Sequence, residues 1–356
     1  FADDCISSFH KIMNKIINLI SDTATRPTAG MLEAMMNAEV GDDVFHEDPT
    51  VIALENRLAD MFGHQAGLFC PSGTMSNQIA IKCHTRPLDE MICDIHSHVY
   101  QYEVGGYAFH SQIAVNPVRG EQGILTAELI EENIKDLQDW LPRTRLAVIE
   151  NSGNRTGGNC YSLEQMRAVS ASCCNHGIKI HLDGARIFNA LIATQLKPQE
   201  IGPFFDSISI CLSKGLGTPA GTVLLGPKDW IAESRRIRKA MGGGMRQVGI
   251  LAAAGLYALD FHVIRLAEDH RRARKLESIL RGLACVESVT PVQTNIVSFN
   301  LAKNVNPADF VSKMKAHGVN SSAFGKQSIR LVTHLDIDDA AIDYTETVLK
   351  RVSTKL

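Results

Sequence analysis

The chain has 356 residues, 45% hydrophobic and 21% charged, which at ~150 residues per domain suits two domains with an ample core. Its 36 basic against 39 acidic residues give a net charge of −3, which excludes a broad basic footprint for nucleic acid. No run of eighteen apolar residues occurs, so no spanning helix and no membrane partner are expected.

Residues 1–20 open on Asp3 and Asp4 and end in IINLI. The acidic opening, with no Arg-rich or continuous apolar run, argues against a targeting peptide. Ile6, Phe9, Met13, Ile16 and Ile20 recur at spacings of three and four, which predicts a short helix packed on the body. Residues 29–39 and 50–63 read as helices, the second started by Asp48-Pro49-Thr50. AGLFC (66–70) reads as a buried strand, after which PSGT turns into a helix from about Met75. MICDI (91–95) and RLAVIEN (145–151) are further strands, the latter apolar until Glu150. IKIHLDGA (178–185) alternates and turns polar at Asp183; DSISICLSKG (206–215) alternates likewise and ends at Lys214. GTVLLG (221–226) is another strand.

This alternation of helix and strand predicts an α/β fold with a mainly parallel sheet. Ligands of such sheets bind at the carboxyl ends of the strands. PSGT, Glu150-Asn151, Asp183 and Lys214 all fall there, so their polar groups can converge on one crevice. Beyond residue 246 the pattern changes. GILAAAGLYALDF reads as a buried helix and EDHRRARKLESILRGL as an amphipathic one. Short strands (NIVSFNL, SIRLVTHL) and helices over 307–317 and 338–353 complete a small C-terminal α+β domain. The expected organisation is an extension (1–17), a large domain (18–260) and a small domain (261–356).

Nine cysteines without a C-x-x-C speak against a disulfide framework and against a zinc knuckle. Free thiols in a reducing cytosol are expected, and only Cys211 lies near chemistry.

Each candidate residue has two readings. Lys214, flanked by Ser213 and Gly215, is a Schiff-base lysine or a snorkelling strand-end lysine. Asp183 holds a pyridinium nitrogen, which makes the ring an electron sink, or it pairs structurally with Arg186. Ser72, Gly73 and Thr74 bind phosphate at a helix start or merely cap it. His98 can stack on a ring and hydrogen-bond to a reacting hydroxyl; His96-x-His98 lacks a third metal ligand, and His96 reads as structural. Arg246, after three glycines, contacts phosphate or a subunit interface, as Lys239 can. RRIRK (235–239) as a whole reads as a solvated basic helix end. Arg330 is a carboxylate clamp or a structural ion pair.

The order of these motifs closely resembles the threonine aldolase family, from about Asn18 to beyond residue 335. The strings that carry the resemblance are SDTATRPT (21–28), GDDVFHEDPT (41–50), PSGTMSN (71–77), HLDGARIFNA (181–190), ICLSKGLGTP (210–219), GGGMRQ (242–247) and IRLVTH (329–334). The resemblance implies the pyridoxal 5'-phosphate (PLP)-dependent transferase fold type I, aspartate aminotransferase-like. It implies an enzyme that cleaves L-threonine or L-allo-threonine to glycine and an aldehyde, as a cytoplasmic homotetramer built from two dimers. Lys214 inherits the covalent attachment of PLP, Asp183 the ring nitrogen, and His98 the ring face. Ser72, Gly73 and Thr74 inherit the phosphate, with Arg246 and Lys239 on its side. Ser21, Arg186 and Arg330 inherit the substrate carboxylate.

Two departures stand out. Many members have a histidine after Glu-Asn-Thr, where this chain has Gly153 after Glu150-Asn151-Ser152. The base is then His98, a water or another group. Many members also have a tyrosine at Phe45, whose loss bears on the choice between threo and erythro substrates; His46 is a candidate substitute. The rival readings are another fold-type-I PLP lyase, β-eliminating on aromatic or sulfur amino acids, and a PLP-fold protein kept for binding.

Overall fold

The computed structural model describes residues 16–355. They form two compact units, one of Pro27–Ile264 and one joining Arg265 onward to the segment that ends at Arg26.

The larger unit is built on seven strands: β2 (Ala66–Cys70), β3 (Asp89–Asp94), β4 (Ala114–Val118), β5 (Arg143–Glu150), β6 (Lys179–Gly184), β7 (Ser207–Cys211) and β8 (Thr222–Gly226); β1 belongs to the smaller unit. Their order is β2-β8-β7-β6-β5-β3-β4. Only β8 runs against its neighbours; β7, β6, β5, β3 and β4 are mutually parallel. β2 is therefore parallel to β7, and the carboxyl ends of β2, β5, β6 and β7 share one edge.

Local chemistry explains the elements. All five residues of β7 are buried, as expected of a strand covered on both faces. Helix Pro49–Phe62 starts where Asp48 accepts from the Val51 amide at 3.1 Å and Pro49 takes the first turn, and it stops at Gly63 with φ 70°. The strands read from apolar runs are all present. β4 escaped that reading because it is an edge strand that contains Pro117, a residue tolerated there but not in a sheet interior.

The smaller unit holds a sheet ordered β12-β13-β10-β9, of Ser322–Ala323, Ser328–Val332, Ile296–Leu301 and Val286–Val289. Helices Leu266–Arg281, Pro307–Ala316 and Asp339–Ser353 complete it. Ile17 and Leu19 are buried in its core with Phe299, Phe310 and Leu349. The strand β1 (Ile17–Asn18) pairs in parallel with β11 (Val319–Asn320). Residues 16–26 group with the C-terminal unit, because backbone pairing captures them. The helix expected over Ile6–Ile20 is corrected at its described end: Ile17–Asn18 is strand, while Ile6, Phe9 and Met13 lie outside the described residues. Among the described residues no single helix is long and apolar enough to cross a membrane.

Candidate active site

Four strand ends deliver the polar groups. β2 leads into helix Gly73–His84, whose N-cap is Ser72; its hydroxyl accepts from the Met75 amide at 3.2 Å. The cap reading of Ser72 is therefore realised. Gly73 and Thr74 lie in the first turn, where amide groups lack partners within the helix. β5 ends at Glu150 and β6 carries Asp183, and these two residues stand opposite each other in register. Lys214 follows β7 by three residues in the turn closed by Gly217 N–H donating to its carbonyl at 2.8 Å.

Asp183 is 2% exposed. Its Oδ2 accepts from Asn77 Nδ2 at 2.9 Å and its Oδ1 from the Ala185 amide at 3.1 Å. Arg186 instead reaches Asn154 Oδ1 at 3.2 Å. Asn77 Nδ2 also donates to Glu103 Oε1 at 2.9 Å, and Gln78 Nε2 donates to Glu103 Oε2 at 2.6 Å. Glu103 Oε1 further meets His98 Nδ1 at 2.8 Å. The His98 backbone amide donates to Glu150 Oε2 at 2.8 Å, and the Asn154 amide to Oε1 at 2.7 Å.

These contacts set the electrostatics. Burial opposes charge on His98, but the Glu103 hydrogen bond and the Asp183 charge outweigh it and raise its pKa above the ordinary 6.5; Lys214 pulls the other way. Burial and then the Asp183 charge push the Glu150 carboxyl up, against the two amide hydrogen bonds. His98, Glu103 and Asp183 also place ligand atoms within 4.8 Å of one another, a spacing that suits a metal ion. The Asn77, Gln78 and His98 hydrogen bonds to Glu103 account for that clustering without one.

The remaining candidates are placed as follows. In the smaller unit, Ser21 caps the turn Asp22–Ala24 and its Oγ accepts from the Thr23 hydroxyl at 2.8 Å. Arg330, on β13, donates to the Ile20 carbonyl at 3.0 Å and lies 4.0 Å from the Phe324 ring centroid. It is therefore held beside Ser21. Arg246 is exposed, paired with Asp42 at 2.7 Å and set over the Phe45 ring. RRIRK is not simply solvated. Arg236 faces outward, but Arg238 is buried against Asp43 at 2.7 Å and the Phe69 carbonyl at 2.6 Å. Its position on the inward face of helix Lys228–Ala240 decides this.

Gly153 lies among filled space. A Cβ there would stand 2.1 Å from Thr156 Oγ1 and 2.9 Å from Asn159 Oδ1. Those two side chains hydrogen-bond each other and occupy the place of a side chain at position 153.

Asn77, Gln78 and Glu103 were missed from the sequence. Glu103 lies five residues after His98, at the end of H-V-Y-Q-Y-E, and that closeness in sequence is its signal. Asn77 closes the string PSGTMSN (71–77), but nothing local distinguishes its role from that of an ordinary helix residue.

The donor set suits PLP. Asp183 is a buried carboxylate that, among the described residues, accepts from the neutral Asn77 side chain and the Ala185 amide, and a protonated ring nitrogen would supply the cationic partner that such a group calls for. Thr222 Oγ1 is buried without a hydrogen-bond partner among the described residues and lies 3.8 Å from where a Cβ of Gly73 would be. A phosphate at the helix N-terminus would engage it.

Sheet order and strand-end chemistry fit a PLP-dependent enzyme of fold type I, and the family matches make it a lyase. The chain belongs to the threonine aldolase family, and residues 18–304 match the family described as beta-eliminating lyase. The low specificity L-threonine aldolase of Escherichia coli K12 is 41% identical over 323 residues, 90% of this chain and 95% of the relative. The low-specificity L-threonine aldolase 1 of Arabidopsis thaliana is 37% identical over 336 residues, 92% and 94% of the two chains. The fold matches the threonine aldolase of Leishmania major with a TM-score of 0.81 at 20% identity, over 95% of this chain and 99% of that one.

Proposed function

We propose that this chain cleaves L-threonine and L-allo-threonine to glycine and acetaldehyde with PLP as cofactor. The observation that carries the reading is the cluster at the sheet's carboxyl edge: Asp183 tied through Asn77 to Glu103, Glu103 tied to His98, and Lys214 beyond the neighbouring strand.

PLP, when bound, supplies a sink for the electron pair released as Cα–Cβ breaks. Lys214 would hold its aldehyde carbon, Asp183 its ring nitrogen and His98 its ring face. Ser72, Gly73 and Thr74 would hold the phosphate, with Arg246 and Lys239 on that side. Ser21, Arg186 and Arg330 hold the substrate carboxylate, which orients the scissile bond. That orientation selects bond cleavage over transamination or decarboxylation.

His98 takes the β-hydroxyl proton. The Glu103 carboxylate only accepts, so neutral His98 carries its hydrogen on Nδ1 and keeps a lone pair on Nε2. Its raised pKa makes it a stronger base. With Gly153 offering no imidazole, His98 has no histidine competitor at that position.

Eight described cysteines are free, which suits a reducing compartment, here the cytoplasm. Leu32, Met36, Ile250 and Phe261 are exposed on two helices packed together, Ala29–Met36 and Gly249–Phe261. Such apolar exposure fits a subunit interface, and the assembly is a homotetramer of two dimers.

The deciding experiment measures aldehyde release from both threonine diastereomers with added PLP, with Lys214→Ala as control. Release that the variant abolishes supports the reading. Keto-acid and ammonia release instead would assign a β-eliminating lyase.

A further inference from the structure

Behind Asp183 a file of polar side chains runs into the interior of the larger unit. Asn77, His181 and Ser207 are buried there, each at most 2% exposed. Ser207 Oγ lies 2.8 Å from His181 Nδ1 and 2.8 Å from His84 Nε2. His181 Nε2 lies 3.2 Å from Asn77 Oδ1. Asn77 Nδ2 then reaches Asp183 Oδ2 at 2.9 Å. At the far end, His84 stacks on Trp230 with centroids 4.5 Å apart.

Elementary chemistry fixes the direction of every bond. Carboxylates only accept, so Asn77 turns its NH2 toward Asp183 and Glu103 and its oxygen toward His181. That oxygen also only accepts, so His181 carries hydrogen on Nε2. Burial pushes His181 down to about 4 and His84 to about 3, so both rings are neutral at pH 7. His181 Nδ1 therefore accepts from the Ser207 hydroxyl, and Ser207 Oγ accepts from His84 Nε2–H. Each link presents its positive end toward Asp183. Aligned hydrogen bonds polarise one another in a low-dielectric interior.

We propose that His84, Ser207, His181 and Asn77 form a positioning relay that orients the Asp183 carboxylate and holds it as an anion for the cofactor ring nitrogen. The proposal rests on the reading of Asp183 as the partner of that nitrogen. The four residues are linked to one another and, through Asn77, to Asp183. They act through one carboxylate, and the two imidazoles set the polarity of the whole file by their tautomers.

The test uses Ser207→Ala and His84→Phe in the holoenzyme, beside Asp183→Asn. Ser207→Ala removes the hydroxyl that donates to His181 Nδ1 and so breaks the file between His181 and His84. His84→Phe keeps a ring on Trp230 and removes only the last donor. For Ser207→Ala the PLP dissociation constant should rise about tenfold, as expected for losing a buried hydrogen bond in series with a charged one. The visible absorption band of the cofactor should shift, and kcat should fall while KM for L-threonine holds. His84→Phe should do the same more weakly. Unchanged affinity and band in both variants, with Asp183→Asn defective, would overturn the relay. So would weakened affinity that merely follows a drop in Tm while the band stays in place. If Asp183→Asn also leaves PLP affinity and the band unaltered, the site reading itself fails and the relay with it.

Discussion

His98 Nδ1 stands 2.8 Å from Glu103 Oε1, a carboxylate only 3% exposed as a residue. This contact is the strongest of the influences that lift the His98 pKa against burial. A base must be neutral to work, so kcat for threonine cleavage should fall as pH drops through a value above 6.5. Glu103→Gln removes the charge and should move that acid limb to lower pH. A limb that stays in place would show that another group takes the proton. Replacing His98 by Asn should lower kcat about 10²–10⁴-fold, the usual worth of a general base.

Gly153 makes a second prediction. Thr156 Oγ1 stands 2.1 Å from the position of a Cβ at residue 153, so Gly153→His alone forces the loop apart and should cost activity on both diastereomers. Combined with Thr156→Gly, the imidazole gains room. The double variant should recover activity and change the L-threonine to L-allo-threonine ratio by about tenfold, the scale of one pocket contact. Initial rates on the two substrates decide it.

Arg330 is held by the Ile20 carbonyl and by the face of Phe324. Arg330→Lys keeps the charge but loses the fork and the stacking. As a clamp it contributes equally to ground and transition states, so KM should rise about tenfold or more while kcat changes little. An unchanged KM would leave Arg330 a purely structural role.

Arg238 carries a stability prediction. It is buried against Asp43 and the Phe69 carbonyl. Arg238→Leu leaves a buried carboxylate without this partner, although Arg235 lies 3.5 Å from it. Such losses destabilise by about 3–5 kcal/mol, which thermal unfolding of wild type and variant would read directly. An Arg238→Leu, Asp43→Asn pair should recover part of the loss.

Much of the site was legible because its signals are local. An apolar strand that turns polar at its carboxyl end marks Glu150, Asp183 and Lys214 within a few residues of sequence each, and Ser72-Gly73-Thr74 marks a helix start the same way. The sheet follows from the same periodicity. The edge strand with Pro117 did not, since its hydrogen bonding is settled by its one neighbour, β3.

The tertiary structure alone decided what lies behind and beside those groups. Asn77 meets Asp183 across 106 positions and His181 across 104, and Ser207 meets His84 across 123. A polar side chain in a buried strand is uninterpretable until its partner is known, because its burial is tolerated only when that partner completes a hydrogen bond. The same holds for Thr156 filling the space beside Gly153 and for Ile17–Asn18 pairing with Val319–Asn320. Periodicity is written into neighbouring residues. Partnership depends on which distant segments the register of the sheet brings face to face.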